Sequence, residues 1–412
     1  MIHVAPGPVR GWLRAPASKS HLQRLVLAAS LAEGESLIRD PGDSEDGQAC
    51  LAVIRALGAR VVQEPRLLRI RGGGPARSQV LDCGESGTCL RMSVAVAALG
   101  AETRTLVGQG TLARRPMDMV LEPLRQLGAF CETRGGFAPI TVRGPLRGGR
   151  AVVDGRESSQ LLSGLLLALP HAEGDCELEV LGLRSKPYVQ MTLDVLASFG
   201  LRAEHAPDLS AFRIRGGQAC RPVDLAVEGD WSGAAFLLVA GAVAGEVTVE
   251  GLDPASAQAD RAVLGALAAA GAGIQWQGTA LRVASGALRA FEFDATDCPD
   301  LFPPLAALAC HARGTSRIAG VSRLAHKESD RGAALVSELG AMGAALAVRN
   351  GCLEITGGPL EGGSVDPHRD HRMAMACAVA GLRSRYGVKM DGEACVAKSY
   401  PAFFQELESI RG

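Results

Sequence analysis

Apolar residues in this chain fall into short blocks, each opened by a polar cluster and closed near a glycine. Ser18-Lys19-Ser20-His21-Leu22-Gln23-Arg24 runs into an apolar stretch from Leu25 to Ala32 that stops at Gly34. The same pattern returns from Glu85 to Gly100, Glu157 to Gly174, Asp230 to Gly245, Pro299 to Gly314 and Asp370 to Gly381, with closing glycines 66 to 74 residues apart. Apolar spacing behind a polar cap predicts six helices. A second recurring helix ends in apolar-x-x-apolar-Gly at Gly58, Gly128, Gly200, Gly271 and Gly343, 70 to 72 residues apart, with a weaker sixth copy within Phe403 to Gly412. Six units of roughly 70 residues therefore account for the chain.

Short alternating runs between the helices read as strands, among them Val80 to Asp82 and Phe291 to Asp294. Ile2 to Pro16 reads as strand and turns, and a crossing between domains near Val227-Glu228-Gly229-Asp230 leaves three units on each side. A chain of 412 residues is expected to form two or more domains. Hydrophobic residues make up 47% and aromatic residues only 4%, so the cores must be built from Ala, Leu and Val. No apolar run is long enough to span a bilayer, and the first twenty residues lack a signal-peptide core, which predicts a cytoplasmic protein without a membrane partner. Eleven cysteines without any C-x-x-C pair read as thiols in a reducing compartment.

Net charge is −1, from 43 basic and 44 acidic residues, so no global basic field is available for nucleic acid. Anion recognition must be local. Lysine occurs five times, at Lys19, Lys186, Lys327, Lys389 and Lys398, and all but Lys389 lie in polar clusters. A lysine ammonium is a compact charge whose proton affinity burial can tune, which arginine cannot imitate.

Several helix starts look built for anions, because unpaired N–H groups and the helix dipole point the same way. Ser20 and Arg24 share a face of the first helix, while Leu22, Leu25 and Val26 turn to the core. Cys83-Gly84-Glu85-Ser86-Gly87-Thr88-Cys89-Leu90-Arg91 places two glycines with hydroxyls at a strand-to-helix turn. Arg114-Arg115-Pro116-Met117 is expected to start a helix with Pro in its first turn. Glu157-Ser158-Ser159-Gln160 and Ser185-Lys186-Pro187-Tyr188 offer hydroxyls, an amide and a cation suited to a polyol phosphate. Asp297-Cys298-Pro299-Asp300 sets Asp300 at a helix start, and Lys327-Glu328-Ser329-Asp330-Arg331 is the densest charge cluster. Asp366-Pro367-His368-Arg369-Asp370-His371-Arg372 alternates cations with ligand types, so no metal site is expected there.

These motifs, with Glu228-Gly229-Asp230, Asp370-His371-Arg372-Met373-Ala374-Met375 and Lys398-Ser399-Tyr400-Pro401, resemble in order those of the 5-enolpyruvylshikimate-3-phosphate synthases. The resemblance covers essentially the whole chain. It implies an α/β fold of two domains, a two-domain inside-out α/β barrel with six βαβαββ repeats, three per domain. One domain is then residues 19–228, the other residues 1–18 with 229–412, and the active site lies in the cleft between them.

The reaction implied is transfer of the enolpyruvyl group of phosphoenolpyruvate to the 5-hydroxyl of shikimate 3-phosphate, releasing phosphate, in the shikimate pathway to chorismate and aromatic amino acids. By resemblance, Lys19, Gly87, Arg115, Gln160, Arg331, Arg372 and Lys398 hold phosphoenolpyruvate. Lys19, Ser20, Arg24, Ser158, Ser159, Gln160, Ser185, Asp300 and Lys327 hold shikimate 3-phosphate. The catalytic groups implied are Glu328 at the methylene carbon, Asp300 as hydroxyl base and Lys19 for proton transfer and charge stabilisation. No cofactor or metal is implied, and a monomer is expected. The departures are small: Glu85-Ser86 stands where Asn-Ala or Asn-Ser is frequent, and Met92 follows Arg91 where many members have Pro. Two alternatives are a UDP-N-acetylglucosamine enolpyruvyl transferase, whose loop cysteine has no counterpart near Cys131, and a silent anion-binding paralogue, which would be expected to lack Lys19, Asp300 or Glu328.

Overall fold

Six small sheets, each with its own pair of helices, make up the computed structural model, which describes residues 1–412. The chain divides into two units, Lys19–Val227 and Met1–Ser18 with Glu228–Gly412. In the first lie helices α1 (Lys19–Leu31), α2 (Glu45–Ala56), α3 (Gly87–Ala97), α4 (Leu121–Gln126), α5 (Gln160–Ala168) and α6 (Lys186–Ser198). The second holds α7 (Trp231–Ala244), α8 (Val263–Ala270), α9 (Phe302–Cys310), α10 (Arg331–Ala341), α11 (His371–Gly381) and α12 (Phe403–Ser409).

One repeat shows the plan. Val80–Asp82 runs parallel to Arg104–Val107 across α3, and Arg104–Val107 pairs antiparallel with Phe137–Arg143, whose hairpin partner is Phe130–Arg134. Gly149–Asp154, Cys176–Leu181, Ala211–Ile214 and Glu204–His205 repeat that order. In the first sheet the leading place is taken from the far end of the unit, where Asp224–Ala226 lies parallel to Glu35–Arg39. The second unit closes through the chain's beginning. Val9–Arg14 leads the sheet of α7 beside Gly245–Glu250, and Ile2–Val4 completes a three-stranded sheet with Val388–Met390 and Gly363–Val365.

Helices lie inside and sheets outside, because helix composition leaves no other solution. The first helix of each repeat is largely buried beyond its polar start: every residue of α9 and α11 is buried, and so is every residue of α7 but the last. Such a helix belongs at a centre. α1, α3 and α5 pack on one another in one unit, and α7, α9 and α11 do so in the other. The strands alternate, as in Thr315–Ala319, with one face on the helices and one toward water. The architecture is thus inside-out α/β with three repeats per unit.

The five glycines that close the second helices, at 58, 128, 200, 271 and 343, all adopt φ between +79° and +114°, where a Cβ is costly. The glycines after the first helices behave differently. α1, α3 and α9 stop at Leu31, Ala97 and Cys310, three or four residues early, and the glycine marks the turn into the next strand instead. One expectation needs refining. The helix expected at Arg114-Arg115-Pro116-Met117 begins just after the motif: Arg115 is extended, Met117 N–H donates to Gly136 O at 2.8 Å, and Met117 caps a 3-10 turn, Asp118–Val120, that runs into α4 at Leu121, so Pro116 lies outside the first turn. Proline disfavours helical backbone in the residue before it, so Arg115 is extended, between the 3-10 turn that ends at Arg114 and the one that starts at Asp118. The Lys327-to-Asp330 cluster is a turn ahead of α10, with Asp330 Oδ1 accepting Ala333 N–H at 3.1 Å as its cap.

Candidate active site

Cationic side chains gather at helix starts in each unit, most of them met by a polar partner from another element. In the unit of α1, Lys19 Nζ lies 2.7 Å from Asp46 Oδ2 in the first turn of α2, with side chains 10% and 4% exposed. Gln23, one turn along α1, donates to Asp46 O and to Ser86 Oγ, both at 2.8 Å, and Ser86 caps α3 by accepting Cys89 N–H. The N-terminal ends of α1, α2 and α3 are thereby tied together. Gln23 Oε1 is buried without a partner.

Arg24 reaches the other way. Its Nε donates to Thr192 Oγ1 at 2.8 Å, Nη1 to Ser20 O at 2.7 Å, and Nη2 to Ser163 Oγ and Tyr188 O at 3.2 Å. Burial of this guanidinium lowers its pKa to about 10. On α3, Arg91 Nη1 donates to Gln160 Oε1 at 2.9 Å, and Gln160 Nε2 to Thr88 Oγ1 at 2.7 Å. Arg115 lies over the start of α3: a Cβ placed on Gly87 would meet its Nη1 at 2.6 Å. Ser158 Oγ accepts Gln160 N–H, and Ser159 is buried at the cap position of α5 without a capping bond from its side chain. Ser185 is buried at the start of α6 with φ of +56°. Lys186 beside it is exposed, the one motif lysine left on the surface.

The other unit concentrates the carboxylates. Arg331, wholly enclosed at the first position of α10, serves three of them. Its Nε lies 2.7 Å from Asp370 Oδ2, Nη1 2.8 Å from Asp300 Oδ1 and Nη2 2.6 Å from Glu328 Oε2. Asp300 Oδ2 is also 3.0 Å from Arg372 Nη2, and its Oδ1 3.4 Å from Lys327 Nζ. Burial opposes the charge on Asp300, but Arg372, Lys327 and Arg331 outweigh it and hold this carboxyl well below the ordinary range. Lys398 Nζ stands 3.9 Å from Glu328 Oε1. Asp370 caps α11 by accepting Arg372 N–H, so one carboxylate fixes both the helix start and Arg331.

All three groups proposed for catalysis thus sit in charged clusters: Asp300 and Glu328 meet on Arg331, and Lys19 stands with Asp46. Sequence reasoning singled out neither Asp46 nor Gln23 and treated Asp370 only as motif. Asp46 lay in an acidic helix start without other marks. Arg331 faces three carboxylates of the protein itself.

Buried cations at helix starts, on six βαβαββ repeats with the helices inside, define an anion-handling enzyme of the enolpyruvyl transferase class. The description EPSP synthase (3-phosphoshikimate 1-carboxyvinyltransferase) matches residues 4–407. A Methanocorpusculum labreanum protein named 3-phosphoshikimate 1-carboxyvinyltransferase is 39% identical over 413 residues, 99% of this chain and 97% of that one. One of the same name from Aeropyrum pernix is 42% identical over 413 residues, 99% and 95% of the two chains. The solved EPSP synthase of Acinetobacter baumannii superposes with a TM-score of 0.82 at 26% identity, covering 100% of this chain and 97% of that one. The chain belongs to the EPSP synthase family.

Proposed function

We infer that this chain performs the reaction of its family, moving the enolpyruvyl group of phosphoenolpyruvate to the 5-hydroxyl of shikimate 3-phosphate and releasing phosphate. The observation that carries the assignment of roles is the cluster in which Asp300 is shared by Arg331, Arg372 and Lys327 while Glu328 bridges Arg331 and Lys398. Each substrate brings a phosphate and a carboxylate. These four anionic groups need several cations, preferably bidentate or in low dielectric.

Phosphoenolpyruvate is held by Lys19, Gly87 N–H, Arg115 and Gln160 from one unit and by Arg331, Arg372 and Lys398 from the other. Shikimate 3-phosphate is held by Lys19, Ser20, Arg24, Ser158, Ser159, Gln160 and Ser185 together with Asp300 and Lys327. We place the protein in the cytoplasm as a monomer.

Asp300 acts as base at the 5-hydroxyl. With three cations around it the carboxylate is a weak base. Substrate anions that draw Lys327 and Arg372 away remove what holds its basicity down, so the base strengthens when the alcohol is in place. Glu328 serves the methylene carbon, and Lys19 stabilises charge on the tetrahedral adduct and moves a proton as phosphate leaves. The test is phosphate release from phosphoenolpyruvate with shikimate 3-phosphate, with UDP-N-acetylglucosamine and without acceptor. Release only with shikimate 3-phosphate, with an enolpyruvyl product, supports the reading. Release only with the nucleotide sugar, or with neither, overturns it.

A further inference from the structure

Asp260 is a carboxyl that the reaction above leaves unused. It sits in the 3-10 turn Ala259–Ala262 that leads into α8, with no solvent exposure. Its Oδ2 accepts a hydrogen bond from Ser232 Oγ in the first turn of α7, while its Oδ1 is buried without a partner. Asp300, Arg372 and Asp230, the cap of α7, all lie near enough to act on it by charge, and Asp260 in turn acts on the Cys298 thiol. Arg372 Nε is also buried without a partner. Arg372 thus pairs with Asp300 directly and acts on Asp260 by charge alone.

We propose that Asp260 is a positioning residue for Asp300 and Arg372, a buried carboxyl that takes up a proton when anionic substrate occupies this half of the site. The proposal rests on the roles assigned above. Two ionised carboxylates repel each other and both hold Arg372 by charge, whereas a neutral Asp260 gives up its hold and lets the guanidinium turn to the substrate. Burial first, and then the charge of Asp300, push Asp260 up to about 7, against the pull of Ser232 and Arg372. An arriving phosphate or carboxylate adds negative charge and favours the protonated form, the proton passing from buffer acid to a carboxyl oxygen of Asp260.

The direct test is calorimetry of shikimate 3-phosphate binding with phosphoenolpyruvate present, near pH 7, in two buffers of different ionisation heat. About half a proton is expected to be taken up per site in the native protein, since a group near its midpoint is about half charged. Asp260→Asn should lose that uptake, and equal uptake in both proteins overturns the proposal. Ser232→Ala removes a bond that favours the charged form, so the uptake should move to higher pH; an unmoved profile also overturns it. Infrared titration of the ligand-free protein, native minus Asp260→Asn, should show a carboxylic acid band disappearing near pH 7. A band lost in the ordinary carboxylate range refutes the charge state whether or not substrates bind. Absent binding with that band intact would instead overturn the functional reading.

Discussion

Replacing Arg331 with glutamine leaves three carboxylates, Asp300, Glu328 and Asp370, without the guanidinium that each meets within 2.8 Å. Asp370 and Arg331 are wholly enclosed, and Glu328 is 9% exposed. Removing one partner of a buried ion pair costs about 3–5 kcal/mol, and Lys327, Arg372 and Lys398 remain to offset part of the repulsion. For a unit of this size that is a fall in midpoint of about 6–20 °C. All three tryptophans, Trp12, Trp231 and Trp276, lie in the unit that contains Arg331, so tryptophan fluorescence during urea unfolding reads this unit alone. The loss must also depend on pH. Asp300 has a folded pKa well below its ordinary value, so its stabilisation is present above the unfolded pKa of about 3.9 and disappears as pH falls toward the folded one. The gap between native and variant should be largest near neutrality and narrow below about pH 5. A gap under about 1 kcal/mol, or one constant down to acid pH, would refute the reasoning.

Glu328→Gln should keep the fold while turnover, read as phosphate release, falls about 10²–10⁴-fold; retention within about tenfold would remove Glu328 from the chemistry. Gly87→Ala puts a methyl where Arg115 Nη1 now lies, 2.6 Å away. Weakening one charged hydrogen bond by about 1.5–3 kcal/mol should raise KM for phosphoenolpyruvate about 10- to 100-fold with a smaller change in kcat, and an unchanged KM would show that Arg115 does not bind there. Two glycines of α8 should respond with opposite signs in the fluorescence assay. Gly265, exposed in the helix with open space around it, should stabilise as alanine by about 0.5–1 kcal/mol. Gly271, at φ of +86°, should destabilise by about 1–2 kcal/mol. Equal signs would show that backbone conformation is not what distinguishes them.

Much of the site was legible because its cations stand at helix starts, and helix starts are written locally. Lys19, Gly87, Gln160, Arg331 and Arg372 each open an inner helix or α10, or stand within its first two positions. Their partners were not legible. Asp46 is 27 residues from Lys19, and Asp370 is 39 from Arg331, so neither pairing follows from any period in the chain. Asp260 carried no mark at all, since an aspartate before an apolar helix is ordinary until its surroundings are known.

By itself, the sequence determined the sixfold repeat, the apolar inner helices, the glycines at five helix ends and the placing of cations at helix starts. Each of these depends on the spacing of a few neighbouring residues and on their own φ/ψ preferences. Only the tertiary structure decided that Asp224–Ala226 leads the first sheet, that the opening residues Ile2–Val4 and Val9–Arg14 complete two sheets of the second unit, and which carboxylate meets which cation. Strand pairing and charge pairing join residues that are distant along the chain, and their energy is realised only when packing has brought the helix ends together and excluded water.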